Sequence, residues 1–133
     1  MTRERQDITS DFYQGDIKDI QITVYNQNGS LKDLDSSEIT YALFTEDPKT
    51  PELIFLKSSQ TDTEIEVKGP GVCVVHLLPA DTIFINGTFR HQLHVADAEY
   101  AGIVTSGRVF IFKSFARRPR QDNQTAYLTG AAP

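Results

Sequence analysis

Apolar and polar residues alternate along most of this chain, and the alternation constrains its fold more than any other feature. Ile20, Ile22 and Val24, for example, are separated by Gln21 and Thr23. Because successive side chains of a β-strand point to opposite faces, a period of two predicts a strand with one buried face. The same period recurs over residues 39–44, 64–68, 88–95 and 108–112.

Two further segments are apolar without alternation. Residues 53–56 form a run too short for a stable helix, and residues 72–78 are apolar on both faces, as is typical of a central strand. Turn residues that tolerate positive φ separate the segments at Asn28-Gly29, Gly71 and Asn86-Gly87. About seven to eight strands at this spacing predict an all-β fold, an immunoglobulin-like antiparallel β-sandwich with extended N- and C-terminal arms.

The chain of 133 residues has the length of one domain. Its first residues are polar and show no period, so we expect an N-terminal arm over residues 1–13 and the sandwich over residues 14–116. A C-terminal extended tail is expected over residues 117–133, because a segment so rich in polar residues cannot bury a core of its own. After Pro79, Asp81 or Thr82 is expected to cap a single helical turn.

The charge is unevenly distributed. The net charge is −5, and the last 21 residues carry +3, which leaves −8 on residues 1–112. An acidic body disfavours binding to a phosphate backbone, so nucleic acid is an unexpected partner, whereas the basic tail suits an acidic patch on another protein. The candidate protein-binding residues are Arg117, Arg118, Arg120, Tyr127 and Leu128.

The sequence contains no recognisable catalytic or metal-binding set. Cys73 is the single cysteine and lies in the most apolar segment, where a buried structural role is expected. His91 and His94 are three residues apart, which on a strand directs them to opposite faces. The acidic loop at residues 33–38 lacks the glycine and distal glutamate of a calcium loop, so a solvated turn is expected. We therefore expect no enzyme activity, no metal and no cofactor, and no apolar run predicts a membrane partner.

The order of several short landmarks resembles a known family. A Gln14-Gly15-Asp16-Ile17 entry is followed by Asn28-Gly29 with Leu31 and Leu34, and then by the segments 39–44, 71–77, 81–82, 87–93 and 107–111. This order resembles the N-terminal immunoglobulin-like domain of phage baseplate upper proteins and the related short virion proteins of tailed phages. The resemblance covers residues 14–112 and implies a sandwich that attaches one virion protein to another, in several copies per assembly.

The resemblance therefore implies a non-enzymatic structural or adaptor protein of a tailed phage or prophage virion, in the tail, baseplate or neck. Its partners would be other virion structural proteins, joined through sandwich faces and terminal arms, and its location the virion, with the host cytoplasm during assembly. No coiled coil or receptor-binding domain follows residue 112, which favours an adaptor over host recognition. Two alternatives remain open: a capsid decoration protein, and a carbohydrate-binding module whose exposed Tyr and Phe rings stack on sugars.

Overall fold

The computed structural model describes residues 4–61, 63–114 and 124–131. These ranges form nine strands and one short helix. In chain order they are β1 (Glu4–Arg5), β2 (Lys18–Tyr25), β3 (Glu38–Thr45), β4 (Leu53–Ser58), β5 (Ile65–Gly69), β6 (Val72–Leu77), α1 (Pro79–Thr82), β7 (Gly87–Ala96), β8 (Ala101–Ile111) and β9 (Gln124–Ala131).

The strands form two sheets that enclose one hydrophobic core, so the predicted all-β sandwich is confirmed. The five-stranded sheet has the order β1-β8-β7-β3-β4, and the four-stranded sheet has the order β5-β6-β2-β9. All pairings are antiparallel except those of the two terminal strands, β1 with β8 and β9 with β2. Without β1 and β9, the two sheets have the strand arrangement G-F-C-C′ and D-E-B of immunoglobulin-like domains.

The predicted alternation explains how the strands bury their inner faces. Every second residue of β2 is buried, and β7 follows the same pattern along most of its length. Cys73 lies in β6 and is fully buried, as expected from the apolar segment around it. The largest fully buried side chains come from both sheets and from two positions outside the strands, Phe12 and Leu34. Those in strands are Tyr41, Ile20, Ile22, Ile39, Leu43, Ile65, Leu77, Leu93, Ile111 and His91.

One turn glycine is required on two grounds. Gly71 joins β5 to β6 with a φ of 74°, a left-handed conformation that side chains rarely adopt. A Cβ at this position would also lie 2.9 Å from the carbonyl oxygen of Val24 and 2.9 Å from Cδ2 of Leu31. The hairpin therefore needs glycine both for its backbone angle and for space.

The single helical turn connects the two sheets. The Asp81 carboxylate accepts a hydrogen bond of 2.7 Å from the Leu78 backbone N–H at the start of α1, which confirms Asp81 as a capping residue. Thr82 instead accepts a buried hydrogen bond of 2.9 Å from the backbone N–H of Gly15. Lys57 of β4 forms an ion pair of 2.8 Å with Asp81, so the turn contacts both β4 and the segment that precedes β2.

The expected N-terminal arm is part of the sandwich. β1 pairs with β8, and isolated bridges join Ile8 to Val109 and Tyr13 to Phe112 further along. Ile8 and Phe12 are buried in the core. The expectation of a separate arm over residues 1–13 is corrected for residues 4–13, because these two apolar side chains and the parallel hydrogen bonds hold the segment against β8.

The expected C-terminal tail is likewise corrected where the structure describes it. β9 pairs with β2 over its whole length, and Leu128 lies opposite Ile22. Leu128 is only 7% exposed and belongs to the core, so it is not available to a partner as part of a free tail. Tyr127 lies opposite Gln21 in the same pairing. The four-stranded sheet thus gains its last strand from the far end of the chain.

Candidate protein-binding face

The outer face of the five-stranded sheet carries a mixed set of apolar and charged side chains. Because residues alternate between faces, the outward positions of β3, β7 and β8 are adjacent in register. Phe44 lies opposite Arg90, and Arg90 lies opposite Arg108. We call this surface, with the neighbouring edge strand β4, the docking face.

Two arginines stand side by side on the docking face. Arg90 and Arg108 are direct cross-strand partners, a placement that is unfavourable for like charges without a counter-ion. Glu46 supplies the counter-ion: its Oε1 lies 2.7 Å from Nε of Arg108 and 3.9 Å from Nε of Arg90. Both arginine side chains remain about half exposed. One carboxylate therefore lies within ion-pair distance of both cations, whose side chains stay partly open to solvent.

The loop between β3 and β4 forms one wall of a groove beside this pair. The groove has a volume of about 630 Å³ and is lined by Phe44, Thr45, Glu46, Asp47, Pro48, Pro51, Arg90, Gln92 and Arg108.

The loop itself is ordered by its own carboxylate. Asp47 accepts hydrogen bonds from the backbone N–H groups of Lys49 and Thr50 and from the Thr50 hydroxyl. These bonds lower the pKa of Asp47, so the carboxylate stays ionised and engaged within the loop. The groove wall is thus preformed, and within the described residues Asp47 forms no ion pair with either arginine.

Exposed leucines extend the docking face to the sheet edge. Leu53 lies opposite Phe44 and Leu56 opposite Ala42, and each leucine is 53% exposed on the edge strand β4. Apolar side chains that cluster on a surface beside charged groups are characteristic of contact sites for other proteins.

A row of aromatic rings lies beside the last residues of β8, on the side of the docking face away from β4. The ring centroids of Phe110 and Phe112 are 4.7 Å apart and those of Phe112 and Tyr13 are 5.2 Å apart. The first pair is inclined by 66° and the second by 33°. The rings pack against one another and do not form a flat platform.

The histidines of β7 lie on opposite faces of the sheet, as the sequence predicts. His94 is exposed on the outer face, whereas His91 is buried. Nε2 of His91 lies 2.6 Å from the carbonyl oxygen of Gln6, which can only accept, so this nitrogen donates and Nδ1 accepts from the Tyr41 hydroxyl at 3.0 Å. Burial lowers the pKa of His91 and raises that of Tyr41, so both are neutral at physiological pH and serve the core.

A second cluster of ionisable groups lies on the outer face of the four-stranded sheet. Nδ1 of His76 lies 2.8 Å from Asp19, and Nε2 lies 3.8 Å from Glu66, which also pairs with Lys68 at 2.9 Å. The cluster joins β2, β5 and β6 across the sheet. Among the residues that the structure describes, no group of three or more His, Cys, Asp or Glu side chains is arranged to hold a metal ion.

The lone thiol belongs to the core. Burial raises the pKa of Cys73 to about 12, which keeps the sulfur protonated and unreactive. The acidic loop is a turn in which Asp33 Oδ1 accepts a 3.0 Å hydrogen bond from the Asp35 backbone, and both side chains face solvent as expected.

The structure separates the predicted binding residues. Arg117, Arg118 and Arg120 lie outside the described residues, while Tyr127 and Leu128 belong to β9. The docking face was not among the predicted sites. The alternation of β7 and β8 does indicate that Arg90 and Arg108 point outward, but their adjacency depends on a strand register that the sequence alone does not provide.

In residues 4–61, 63–114 and 124–131, no helix is long and apolar enough to cross a membrane. Comparison of the chain with models of protein families gave no match, and comparison with curated proteins gave none either.

Proposed function

We propose that this protein is a non-enzymatic structural or adaptor protein of a tailed phage or prophage virion, in the tail, baseplate or neck. It joins neighbouring virion subunits through the docking face. The observation that carries the proposal is the combination of an oriented arginine pair with exposed Leu53 and Leu56 on one side of the sandwich. Arginine is among the residues that most often dominate the binding energy of protein interfaces, and exposed apolar side chains beside charged groups are typical of contact sites.

The sequence landmarks support the virion part of the proposal. Gly15, Gly29, Gly71 and Gly87, which belong to the landmarks, all have positive φ and occupy corners between elements. The features shared with the phage attachment domains are therefore those that determine how a sandwich is connected. The shared order supports a common scaffold, and in that family the scaffold serves attachment.

The described parts of both chain ends alter the proposed mode of attachment. Residues 4–13 run along β8 and residues 124–131 run along β2, so both contribute to the domain itself. The sequence assigns attachment to the terminal arms and the sandwich faces together. Because the described parts of both ends belong to the domain, we propose that the docking face performs the attachment.

Incorporation into particles tests the proposal. Replacing Leu53 and Leu56 with serine is expected to reduce the copies of the protein per purified virion more than tenfold, measured by quantitative immunoblot, with the melting temperature almost unchanged. Leu78→Ser is the matched control, since Leu78 is 54% exposed but lies at the start of α1 and outside the five-stranded sheet. Undiminished incorporation of the double variant would refute the docking face as the attachment surface.

The two alternatives have separate tests. A capsid decoration protein would be found on the head, and electron microscopy with a label on this chain locates it on head or tail. Sugar binding would rely on Tyr13, Phe112 and Phe110, whose mutual inclination is unlike the flat platforms on which sugars stack. Glycan-array binding that disappears in Phe110→Ala would favour the carbohydrate module over the adaptor.

A further inference from the structure

We infer that the groove beside Arg90 and Arg108 binds the acidic loop of residues 33–38 from a second copy of this chain, so that copies associate head to tail. The inference rests on the proposed function, because it names the partner of the docking face.

The groove has unused hydrogen-bonding capacity for a carboxylate. Each guanidinium group carries five N–H donors in a planar fork that suits bidentate pairing. Glu46 is within hydrogen-bonding distance of Arg108 alone, and its 3.9 Å separation from Arg90 is too long for such a bond. Within the part of the chain that the structure describes, Arg90 has no other ion-pair partner. A second carboxylate placed between the arginines would accept hydrogen bonds from Arg90 that Glu46 is too distant to accept.

The acidic loop supplies such carboxylates. Asp33, Asp35 and Glu38 are exposed, and no cation pairs with them within the described residues. Lys32 lies next to them in sequence, but it forms a 2.9 Å ion pair with Asp97 and lies above the Tyr100 ring. Lys32 is thus engaged elsewhere, and the loop presents a net negative charge to solvent.

The apolar parts of the two surfaces also match. Phe44, Pro48 and Pro51 form the apolar wall of the groove. Leu31, two residues before Asp33, is 45% exposed and pairs with Tyr25, itself 38% exposed. The groove combines apolar side chains with the two arginines, and the loop combines them with carboxylates. Contact between the surfaces would remove apolar area from water and bring the loop carboxylates to the arginine N–H donors that Glu46 does not engage.

The positions of the two surfaces determine the kind of assembly. β3 pairs with β7 so that Glu38 lies opposite Ala96 and Thr45 opposite Phe89. The acidic loop precedes β3 and the groove loop follows it, so the two surfaces lie at opposite ends of one strand. A contact between different surfaces of identical subunits is heterologous, and it produces a closed ring or an open filament. Either product suits a protein that is present in several copies in a virion.

Complementary variants test the inference with the full-length chain. A groove variant carries Arg90→Gln and Arg108→Gln, and a loop variant carries Asp33→Asn and Asp35→Asn, which keep side-chain size and hydrogen-bonding groups. In sedimentation velocity, the wild type is expected to associate in proportion to concentration and to lose association at high salt, since screening weakens exposed charge pairs. Each variant alone is expected to remain a monomer.

Mixing the two variants gives the decisive result. The groove variant still has a native loop and the loop variant a native groove, so one native contact is possible per pair. We expect a one-to-one heterodimer and no larger species. The control chain carries Arg5→Gln and Lys68→Gln, which remove two exposed cations outside the groove and should associate like the wild type.

Three results would overturn the inference. They are a wild type that stays monomeric at every concentration, self-association of either variant at wild-type strength, and a mixture without heterodimer. A monomeric wild type that captures a synthetic acidic peptide would assign the groove to a different protein. None of these results bears on the particle-incorporation experiment, so failure of the inference and failure of the proposed function are distinguishable.

Discussion

His91 connects the first segment of the chain to the core by two hydrogen bonds. Its ring lies between the Gln6 carbonyl, at 2.6 Å, and the Tyr41 hydroxyl, at 3.0 Å. The neutral ring satisfies both contacts, with Nε2 donating and Nδ1 accepting. A second proton would place a buried charge beside Tyr41, and the nearby Asp7 offsets only part of the cost of burial.

The lowered pKa of His91 predicts that stability decreases in mild acid. As pH falls below the ordinary histidine value of about 6.5, the unfolded chain takes up a proton before the folded chain does, so the free energy of unfolding decreases. His91→Phe should remove that part of the pH dependence, and should cost about 1 to 3 kcal/mol at neutral pH because Gln6 and Tyr41 lose their partner.

Urea unfolding at about pH 7.5 and about pH 5.5, on either side of the ordinary histidine pKa, measures both effects. His94→Gln is the control, since His94 is exposed on the same strand and its replacement should preserve the wild-type pH response. An equal loss of stability in acid for wild type and His91→Phe would contradict the prediction.

Gly107 provides the space in which the N-terminal segment lies. A Cβ on Gly107 would overlap the backbone carbonyl of Gln6, and the Asp7 carboxylate would lie 2.7 Å away. Gly107→Ala should therefore displace residues 6–7 from β8 and destabilise the fold by about 2 to 3 kcal/mol, as expected for overpacking against backbone. Gly69→Ala is the control because nothing lies within 4 Å of its Cβ position. Urea midpoints that shift equally in the two variants would refute a steric requirement for glycine at position 107.

The last strand, β9, is attached to the core as well as to β2. Leu128 is its large apolar residue in the core, and Gly130 fits closely against Thr105 and Val104 of β8. We expect Leu128→Ala to cost about 2 to 3 kcal/mol, in the range measured for large-to-small changes in cores. Leu78→Ala, at an exposed leucine, should change stability by less than about 0.5 kcal/mol. Similar small effects in both variants would show that β9 contributes little to folding.

The sequence predicts the elements whose inner faces are continuously apolar and misses those that are not. β2, β3, β6 and β7 have the strongest alternation or apolar character, and the structure places strands there. In β9 the small residues Ala126 and Gly130 stand two positions before and after Leu128, so its sequence resembles a polar tail.

The N-terminal segment also lacks a continuous apolar pattern. Thr9, Ser10 and Asp11 interrupt its apolar residues, and Asp11 has a positive φ of 57°. The Asp7 carboxylate accepts a hydrogen bond from the Arg108 backbone in place of a regular ladder bond. The docking face was missed because Arg90 and Arg108 are separated by 17 residues and meet only through the register of β7 and β8.

At the scale of the whole molecule, the two chain ends complete different sheets. β1 forms one edge of the five-stranded sheet and β9 one edge of the four-stranded sheet. Through Ile8, Phe12 and Leu128, the end segments supply three buried apolar side chains to the shared core. The domain therefore depends on both of its ends, although the alternating region between them has the length of a complete sandwich.

Truncation to the sandwich boundaries expected from sequence tests this dependence. Burial of each of the three side chains contributes about 2 to 3 kcal/mol, and the total is comparable to the 5 to 15 kcal/mol by which domains are typically stable. A chain of residues 14–116 should therefore lack a cooperative unfolding transition in circular dichroism and bind a hydrophobic dye, because its removed segments leave core and sheet edges uncovered. A chain of residues 4–131 is the control and should unfold cooperatively near the wild-type midpoint. A sharp transition for residues 14–116 would show that the seven central strands form a sufficient domain, and would return both chain ends to the role of arms.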